Sequence, residues 1–453
     1  MKIKFLDSYV IIILIIIALS IATYIVPAGT FDREINVETG MNYVVPDSFQ
    51  YVDRSPVSVF QMIKSIPEGM NDASDIIMFV LMIGGSIGII NGTGTFNVII
   101  ANLAKNYSGK EKRILIFVMI MFSLGGATFG MSEETLPLYP LMIALAISLG
   151  YNKMIGLSII MIGVNAGFTA GFMNPFNTGI AQQMVGLPLF SGMGFRLFAY
   201  CVFMGTGILF LNSKLENNRL DPSEIQENMM LKASNVQLSK KNKHVVAVII
   251  ISLTVMIYGI LKLDFYITEI ATMFLIMGVA SGMAYGHKSG RIVTEFTKGA
   301  SNLVYGALII GLARAIMVVM QNGGILDTII YSFSSLIHGV APAVSASAMF
   351  IVQSILDIFI SSSTGQAAVT LPIMMNVGDL SELPRQITVL AFQFGDGFTN
   401  MISPTVGMTM AALALGGVSW KKWIKFILPL FCMWYIEGII LLTVAVIINY
   451  GPF

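Results

Sequence analysis

The chain has 453 residues, of which 55% are hydrophobic and 11% charged, with a mean hydropathy of +0.80. Soluble globular domains carry about 25% charged residues, so this composition excludes an ordinary water-soluble enzyme, a secreted disulfide scaffold and a disordered chain. A net charge of +1 offers no basic field for nucleic acid, and two isolated cysteines, Cys201 and Cys432, support neither a disulfide framework nor a zinc site. What remains is a polytopic protein of the lipid bilayer, with room for about ten spans of roughly 20 residues.

The first apolar run, about 8–27, follows Lys2 and Lys4 and is long enough to span, so it reads as a membrane helix rather than a cleaved signal. Further runs fall near 74–91, 114–150, 154–187, 196–212, 244–261, 267–284, 303–320, 343–376, 386–416 and 424–449. The segments between them sort by charge. Residues 28–55 are acidic (Asp32, Glu34, Glu38, Asp47, Asp53), whereas 105–113, 212–244, 288–298 and 421–425 are rich in Lys and Arg. The positive-inside rule puts the basic loops in the cytoplasm and 28–55 outside, which leaves the N-terminus inside and the C-terminus outside.

That arrangement works only if two long apolar blocks dip in and turn back. Block 114–150 turns at Gly125, Gly126, Gly130 and Ser132-Glu133-Glu134; block 343–380 turns at Ser361-Ser362-Ser363-Thr364-Gly365. Both read as re-entrant hairpins. A repeat also appears: Asn91-Gly92, Pro140-Leu141-Met142, Gly167-Phe168-Thr169 and Asn174-Pro175 recur as Asn322-Gly323, Pro372-Ile373-Met374, Gly397-Phe398-Thr399 and Ser403-Pro404. The charge-derived topology makes the two halves opposite in direction. The expectation is an all-α polytopic membrane protein of two inverted-topology repeats, each with a re-entrant hairpin and a broken transmembrane helix. Such repeats point to a secondary transporter with its site near the midplane.

The first break runs through Gly171, Asn174-Pro175-Phe176-Asn177-Thr178; the second through Asp396, Thr399-Asn400 and Ser403-Pro404-Thr405. Proline removes a helix hydrogen bond, and freed carbonyls survive at membrane depth only under protein or water. Open carbonyls can hold a cation and half-helix N-termini a carboxylate. Ionisable groups at depth are functional candidates by default. The expected substrate site therefore comprises Ser132, Glu133, Glu134 and Thr135 at the first tip, and Ser362, Ser363, Thr364, Gly365 and Gln366 at the second. The breaks add Asn174, Asn177, Thr178, Asp396, Thr399, Asn400, Ser403 and Thr405. One of Glu133 and Glu134 is expected to cap the returning half-helix and the other to meet substrate or proton. Arg314 and Asp357 read as structural glue, paired with each other or with backbone groups, and Glu437 as a helix-packing or interface residue. His244, His287 and His338 fall in expected loops. Amphipathic stretches at 56–70, 94–104, 292–302 and 325–336 suit helices lying along the interface.

No nucleotide-binding loop, paired-His metal motif or nucleophile elbow occurs, so neither an enzyme nor a resident cofactor is expected. A channel with the same polar midplane stays open as an alternative, as does an intramembrane enzyme using Glu133 and Glu134 as an acid/base pair.

Thr23–Phe31, Gly125–Thr135 and Asn174–Gly179 resemble the C4-dicarboxylate anaerobic carrier family, in its YfcC-like branch, within the larger ion transporter superfamily. The resemblance covers essentially the whole chain. It implies a homodimer in the cytoplasmic membrane of a prokaryote, working as an elevator. It further implies scaffold parts at 1–113 and 244–338, transport parts at 114–213 and 339–453, and a cytoplasmic linker at 214–243. The superfamily's Ser-Asn-Thr tip motif holds cation and substrate carboxylate; here the tips read Ser132-Glu133-Glu134-Thr135 and Ser362-Ser363-Thr364-Gly365, without the Asn. Sodium at the tips is thus left unassigned, and coupling to H+ or Na+ stays open. The branch implies exchange of basic amino acids of the arginine/ornithine type, the family name C4-dicarboxylates. The acidic groups Glu133, Glu134 and Asp396, against Arg314 as the deep cation, favour an amino acid over a dianion.

Overall fold

Lipid offers a backbone no hydrogen-bond partner, so each apolar run must satisfy its own amides, which the α-helix does. The computed structural model describes residues 8–35, 42–95, 98, 110–220, 239–263, 265, 267–337 and 340–451. In chain order the helices are α1 (Ser8–Ala22), α2 (Val59–Asp72), α3 (Ser74–Gly92), α4 (Glu111–Phe129), α5 (Tyr139–Ser148), α6 (Lys153–Ala170), α7 (Ile180–Met184) and α8 (Met193–Leu215). After the cytoplasm-assigned loop come α9 (Lys240–Lys262), α10 (Ile267–Tyr285), α11 (Ser289–Ser301), α12 (Val304–Asn322), α13 (Leu326–Leu336), α14 (Pro342–Asp357), α15 (Ser363–Leu380), α16 (Arg385–Thr399), α17 (Gly407–Gly416) and α18 (Trp420–Ile447). Six stretches among the described residues are long and apolar enough to cross a membrane: Ser74–Gly92, Lys153–Met184, Met193–Asn218, Ile267–Tyr285, Val304–Asn322 and Trp420–Ile447.

Three of the amphipathic stretches form α2, α11 and α13; 94–104 falls almost wholly outside the described residues. Two details depart from expectation. The loop after α1 is not without strands: β1 (Gly29–Thr30) pairs antiparallel with β4 (Gln50–Tyr51), and β2 (Arg33–Ile35) with β3 (Asn42–Val44), so the chain is mostly rather than wholly helical. His244 lies in the first turns of α9 rather than in a loop, because Ser239 caps that helix early by accepting from Asn242 N. His338 lies outside the described residues.

The helices pack in two sets. In one, α3 lies against α10, α11 and α12, and α12 against α1 and α2. In the other, α4, α5 and α8 surround α6, α14, α15 and α18 surround α16, and α6 packs on α16. Contacts between the sets run from α12 to α17 and from β3 and α13 to α15. The loop after α1 is fastened to the first set: the Arg33 guanidinium forks onto both oxygens of Asp327 at 2.8 and 2.9 Å, and Phe31 N donates to the same carboxylate.

Helices α6 and α16 are the central pair. Every residue from Ile155 to Ala170, and from Gln386 to Thr399, is buried. Edge-on aromatic contacts among Phe203, Phe350, Phe394 and Phe398, with Trp434 beside them, lock α8, α14, α16 and α18 together. The α4–α6 crossing depends instead on the absence of side chains. A Cβ on Gly167 would sit 1.9 Å from Ser123 O, and one on Gly163 2.6 Å from Met119 O. Gly163 and Gly167, one turn apart, let the two backbones approach as small residues do in membrane bundles. Gly205 of α8, by contrast, has open space around it. Gly167→Ala is therefore expected to lower the unfolding temperature of the detergent-solubilised protein, at an overpacking cost of about 1–3 kcal/mol. Gly205→Ala should leave it unchanged or raise it, and an equal response of the two variants would contradict the close crossing.

Candidate functional site

Both central helices stop in the interior, and side chains of the chain itself cap the ends. Helix α6 ends at Gly171 in a left-handed conformation (φ +33°), where a Cβ would meet Gln393, Thr178 and the carbonyl of Phe168 within 2.9 Å. Three residues on, Asn174 Oδ1 accepts from Phe176 N at 2.9 Å and Asn177 N at 3.1 Å. It thereby caps a wide turn over Pro175–Gly179 that leads into α7. Thr178 Oγ1 closes the break by donating to Gly171 O. The second break follows Thr399. Thr405 Oγ1 donates to Ile358 O at 2.7 Å, Ser403 and Thr405 bond each other, and Thr409 Oγ1 donates to Asn400 O. At the second tip, Ser362 accepts from Gly365 N and starts α15. Pro342 starts the descending α14 at a position where its missing N–H costs nothing.

These ends meet at one carboxylate. Asp396, fully buried on α16, accepts from Ser363 Oγ at the second tip, 2.7 Å to each oxygen. It also accepts from Asn177 Nδ2 of the first break, and from Asn400 Nδ2 of its own break at 3.5 Å. Next to this junction opens a cavity of about 180 Å³ lined by Ser132, Ser361, Ser362, Ser363, Thr364 and Asn400, with Asn165 and Thr409 adding polarity and Phe168 and Phe176 apolar walls. Its volume is below the range of drug-sized pockets and suits a small solute.

The expected site residues therefore divide. Ser132, Ser362, Ser363, Thr364 and Asn400 line the cavity; Asn177 and Asp396 stand behind it. Asn174, Thr178, Ser403 and Thr405 hold the breaks in shape, Gly365 sits in the first turn of α15, and Thr399 donates to its own helix at Gly395 O. Thr135 is buried and bonds back along the short turn Glu133–Leu138 by donating to Ser132 O. Gln366 Nε2 ties α15 to α14 through the carbonyl and side chain of Gln353. The side chains of Glu133 and Glu134 lie outside the described residues.

Asn165, Thr409, Phe168 and Phe176 were not among the expected site residues. Phe168 and Phe176 carried a repeat and a break signal but no polar group, while Asn165 and Thr409 read as ordinary helix residues that only the position of the breaks turns inward. Two charged groups also stand differently from expectation. Asp357 does not pair with Arg314: it is fully buried, neither of its oxygens meets a donor, and its carboxyl faces that of Asp396. Arg314 is on α12, in the other packing set, whereas Asp357 ends α14 beside α16. Among the described residues the fully buried cation of this set is Arg196, near the start of α8. It donates to Gln393 Oε1, Gln386 Oε1, Ser191 O and the Tyr450 hydroxyl, at 2.8 to 3.0 Å. Glu437 joins α18 to α8 by accepting from Thr206 Oγ1 at 3.2 Å.

Known proteins resemble this chain in sequence. A relative in Escherichia coli K12, the candidate basic amino acid antiporter YfcC, is 31% identical, over 98% of this chain and 97% of its own. An uncharacterized protein of Haemophilus influenzae is 30% identical over 89% of this chain and 81% of its own length. Among solved structures, the YdaH transporter of Alcanivorax borkumensis aligns with a TM-score of 0.45 and 15% identity, covering 99% of this chain and 100% of that one. Residues 5–447 match the family described as DcuC, C4-dicarboxylate anaerobic carrier. The chain is a membrane transporter that belongs to the C4-dicarboxylate anaerobic carrier family.

Proposed function

We propose that the protein is a secondary active exchanger of amino acids, foremost basic ones in an arginine/ornithine-type antiport, acting across the cytoplasmic membrane of a prokaryote by an elevator motion. The observation that carries this reading is the convergence of both helix breaks and the second hairpin tip on Asp396, beside a cavity of solute size. A cationic side chain arriving there would meet a buried carboxylate. Its own carboxylate could rest on the N-terminus of α15, where the amides and the helix dipole favour an anion. The name of the relative YfcC agrees with this cargo.

A C4-dicarboxylate or other carboxylate carried with an ion is the second reading, favoured by the family's description. Electrostatics speak against it at this cavity: the described charged group one hydrogen bond behind the lining is acidic, and the Arg196 guanidinium is engaged with Ser191, Gln386, Gln393 and Tyr450 instead.

The moving part in this proposal is 114–213 with 339–453, and the fixed frame is 1–113 with 244–338, joined by the linker 214–243. The two packing sets support that division, and the matching succession of helices in each half supports an inverted repeat. The frame would dimerise with a second copy, with the N-terminus inside, the C-terminus outside and H+ or Na+ as the coupling ion. Resemblance to the family supports this assembly.

In proteoliposomes loaded with unlabelled arginine, labelled arginine and ornithine are expected to enter by saturable counterflow faster than succinate. Faster succinate entry would favour the second reading, and steady currents without exchange would indicate a channel. Ser363→Ala removes a hydrogen bond to a buried carboxylate, worth about 1.5–3 kcal/mol. It is expected to cut exchange about tenfold or more with normal expression. Glu133→Gln and Glu134→Gln should differ sharply in exchange rate; equal, mild effects would remove both from the site.

A further inference from the structure

Asp357 is the last residue of α14, fully buried, at the end of the limb that descends toward the second tip. A buried carboxylate ordinarily gathers donors or a cation. This one has neither. No donor reaches either oxygen, and the group facing it is the carboxyl of Asp396. Asp396 already takes three donors, from Ser363, Asn177 and Asn400, so of the two carboxyls it is the one whose hydrogen bonds favour the charged form. Two ionised carboxylates in contact and away from water repel strongly, and a shared proton relieves both the repulsion and the missing donor. Protonated, Asp357 becomes a donor and Asp396 a fourth time an acceptor.

Among the described residues no cation bonds Asp357. Against α14 pack α13, α15, α16 and α18. On α16 the facing group is Asp396. On α18 Tyr435 stands beside Ser354, and Glu437 is bonded to Thr206. On α15 Asp379 is held by Arg385, and on α13 Asp327 by Arg33. Around the pair, Gln366 Oε1 and Asn177 Oδ1 are further buried oxygens without a donor.

We propose that Asp357 and Asp396 form a single proton-holding site, in which a proton carried on Asp357 is donated to Asp396. The uptake step is a plain transfer: a hydronium or water-borne proton binds a carboxylate oxygen of Asp357, and release returns it to water. Coupling of this proton to cargo rests on the transporter reading above. A cation arriving at Asp396 replaces the positive charge that the proton supplied, so cargo and proton exclude each other.

Infrared difference spectra of the purified full-length protein in lipid, recorded while pH is raised without substrate, test the site itself. Wild type is expected to lose a protonated-carboxyl C=O band on titration. Asp357→Asn should lack that band, and Asp357→Glu should keep it at a shifted frequency. A wild-type band in folded Asp357→Asn, or an unshifted one in Asp357→Glu, overturns the proposal. So does sodium chloride, relative to choline chloride, abolishing the band and raising the unfolding temperature at constant pH, since the pair would then be a metal-ion site. Arginine added to weakly buffered wild type should release protons, and Asp357→Asn should release none. A titrating band with no release by arginine or ornithine leaves the proton site standing and counts against the basic amino acid cargo.

Discussion

A peptide group inside a membrane must find its hydrogen bond within the protein. Most of this chain obeys by staying helical, but α6 and α16 are cut in the middle, where the bilayer gives no compensation. Everything unusual about the molecule follows from covering those cuts. Asn174 supplies the acceptor for the amides after the first, Thr405 and Thr409 cover carbonyls around the second, and every residue of both helices near the cuts is buried. The close α4–α6 crossing and the aromatic lock around Phe398 exclude lipid from the same place. The polar cavity is thus the residue of an obligation: once backbone is opened at depth, polar groups must collect there, and a small solute can use them.

Asp396 is the point where that obligation becomes chemistry. One carboxylate accepts from groups more than 200 residues apart in sequence, Asn177 at one break and Asn400 at the other, and from Ser363 at the tip between. Its charge serves as the common acceptor that draws three capped ends together. A group used this way is sensitive to any cation placed near it, because the same oxygens that organise the site would be drawn on by the newcomer.

Much of this was legible in the sequence. Gly and Pro marked the cuts, and the serine run at 361–363 marked the second tip, because each of these signals acts locally on the backbone; charge marked loops less well, for the basic segments 288–298 and 421–425, expected as loops, lie on α11 and α18. What escaped reading depends on contacts across the chain. Arg196 stands at the edge of an apolar run, where a basic residue ordinarily reaches for the interface. Its burial follows from Gln386, Gln393 and Tyr450, far away in sequence. Asp357 and Arg314 looked like natural partners as two lone charges at depth, yet they belong to different packing sets. The short strands of the loop after α1 are only two or three residues long, too short for an alternating pattern to register.

Among the described residues no carboxylate bonds the guanidinium of Arg196, and under the proposed elevator motion that charge bears on how the protein would respond to voltage. It shares its packing set with Asp357 and Asp396. With one proton between the aspartates, these three groups sum to zero, and a displacement along the membrane normal performs no electrical work on them. Losing or gaining one proton leaves a unit charge, against which a full crossing works at about 2.3 kcal/mol per 100 mV. The occupancy of a single pair of carboxyl groups would then decide whether membrane potential favours one position of the helices over the other or ignores both.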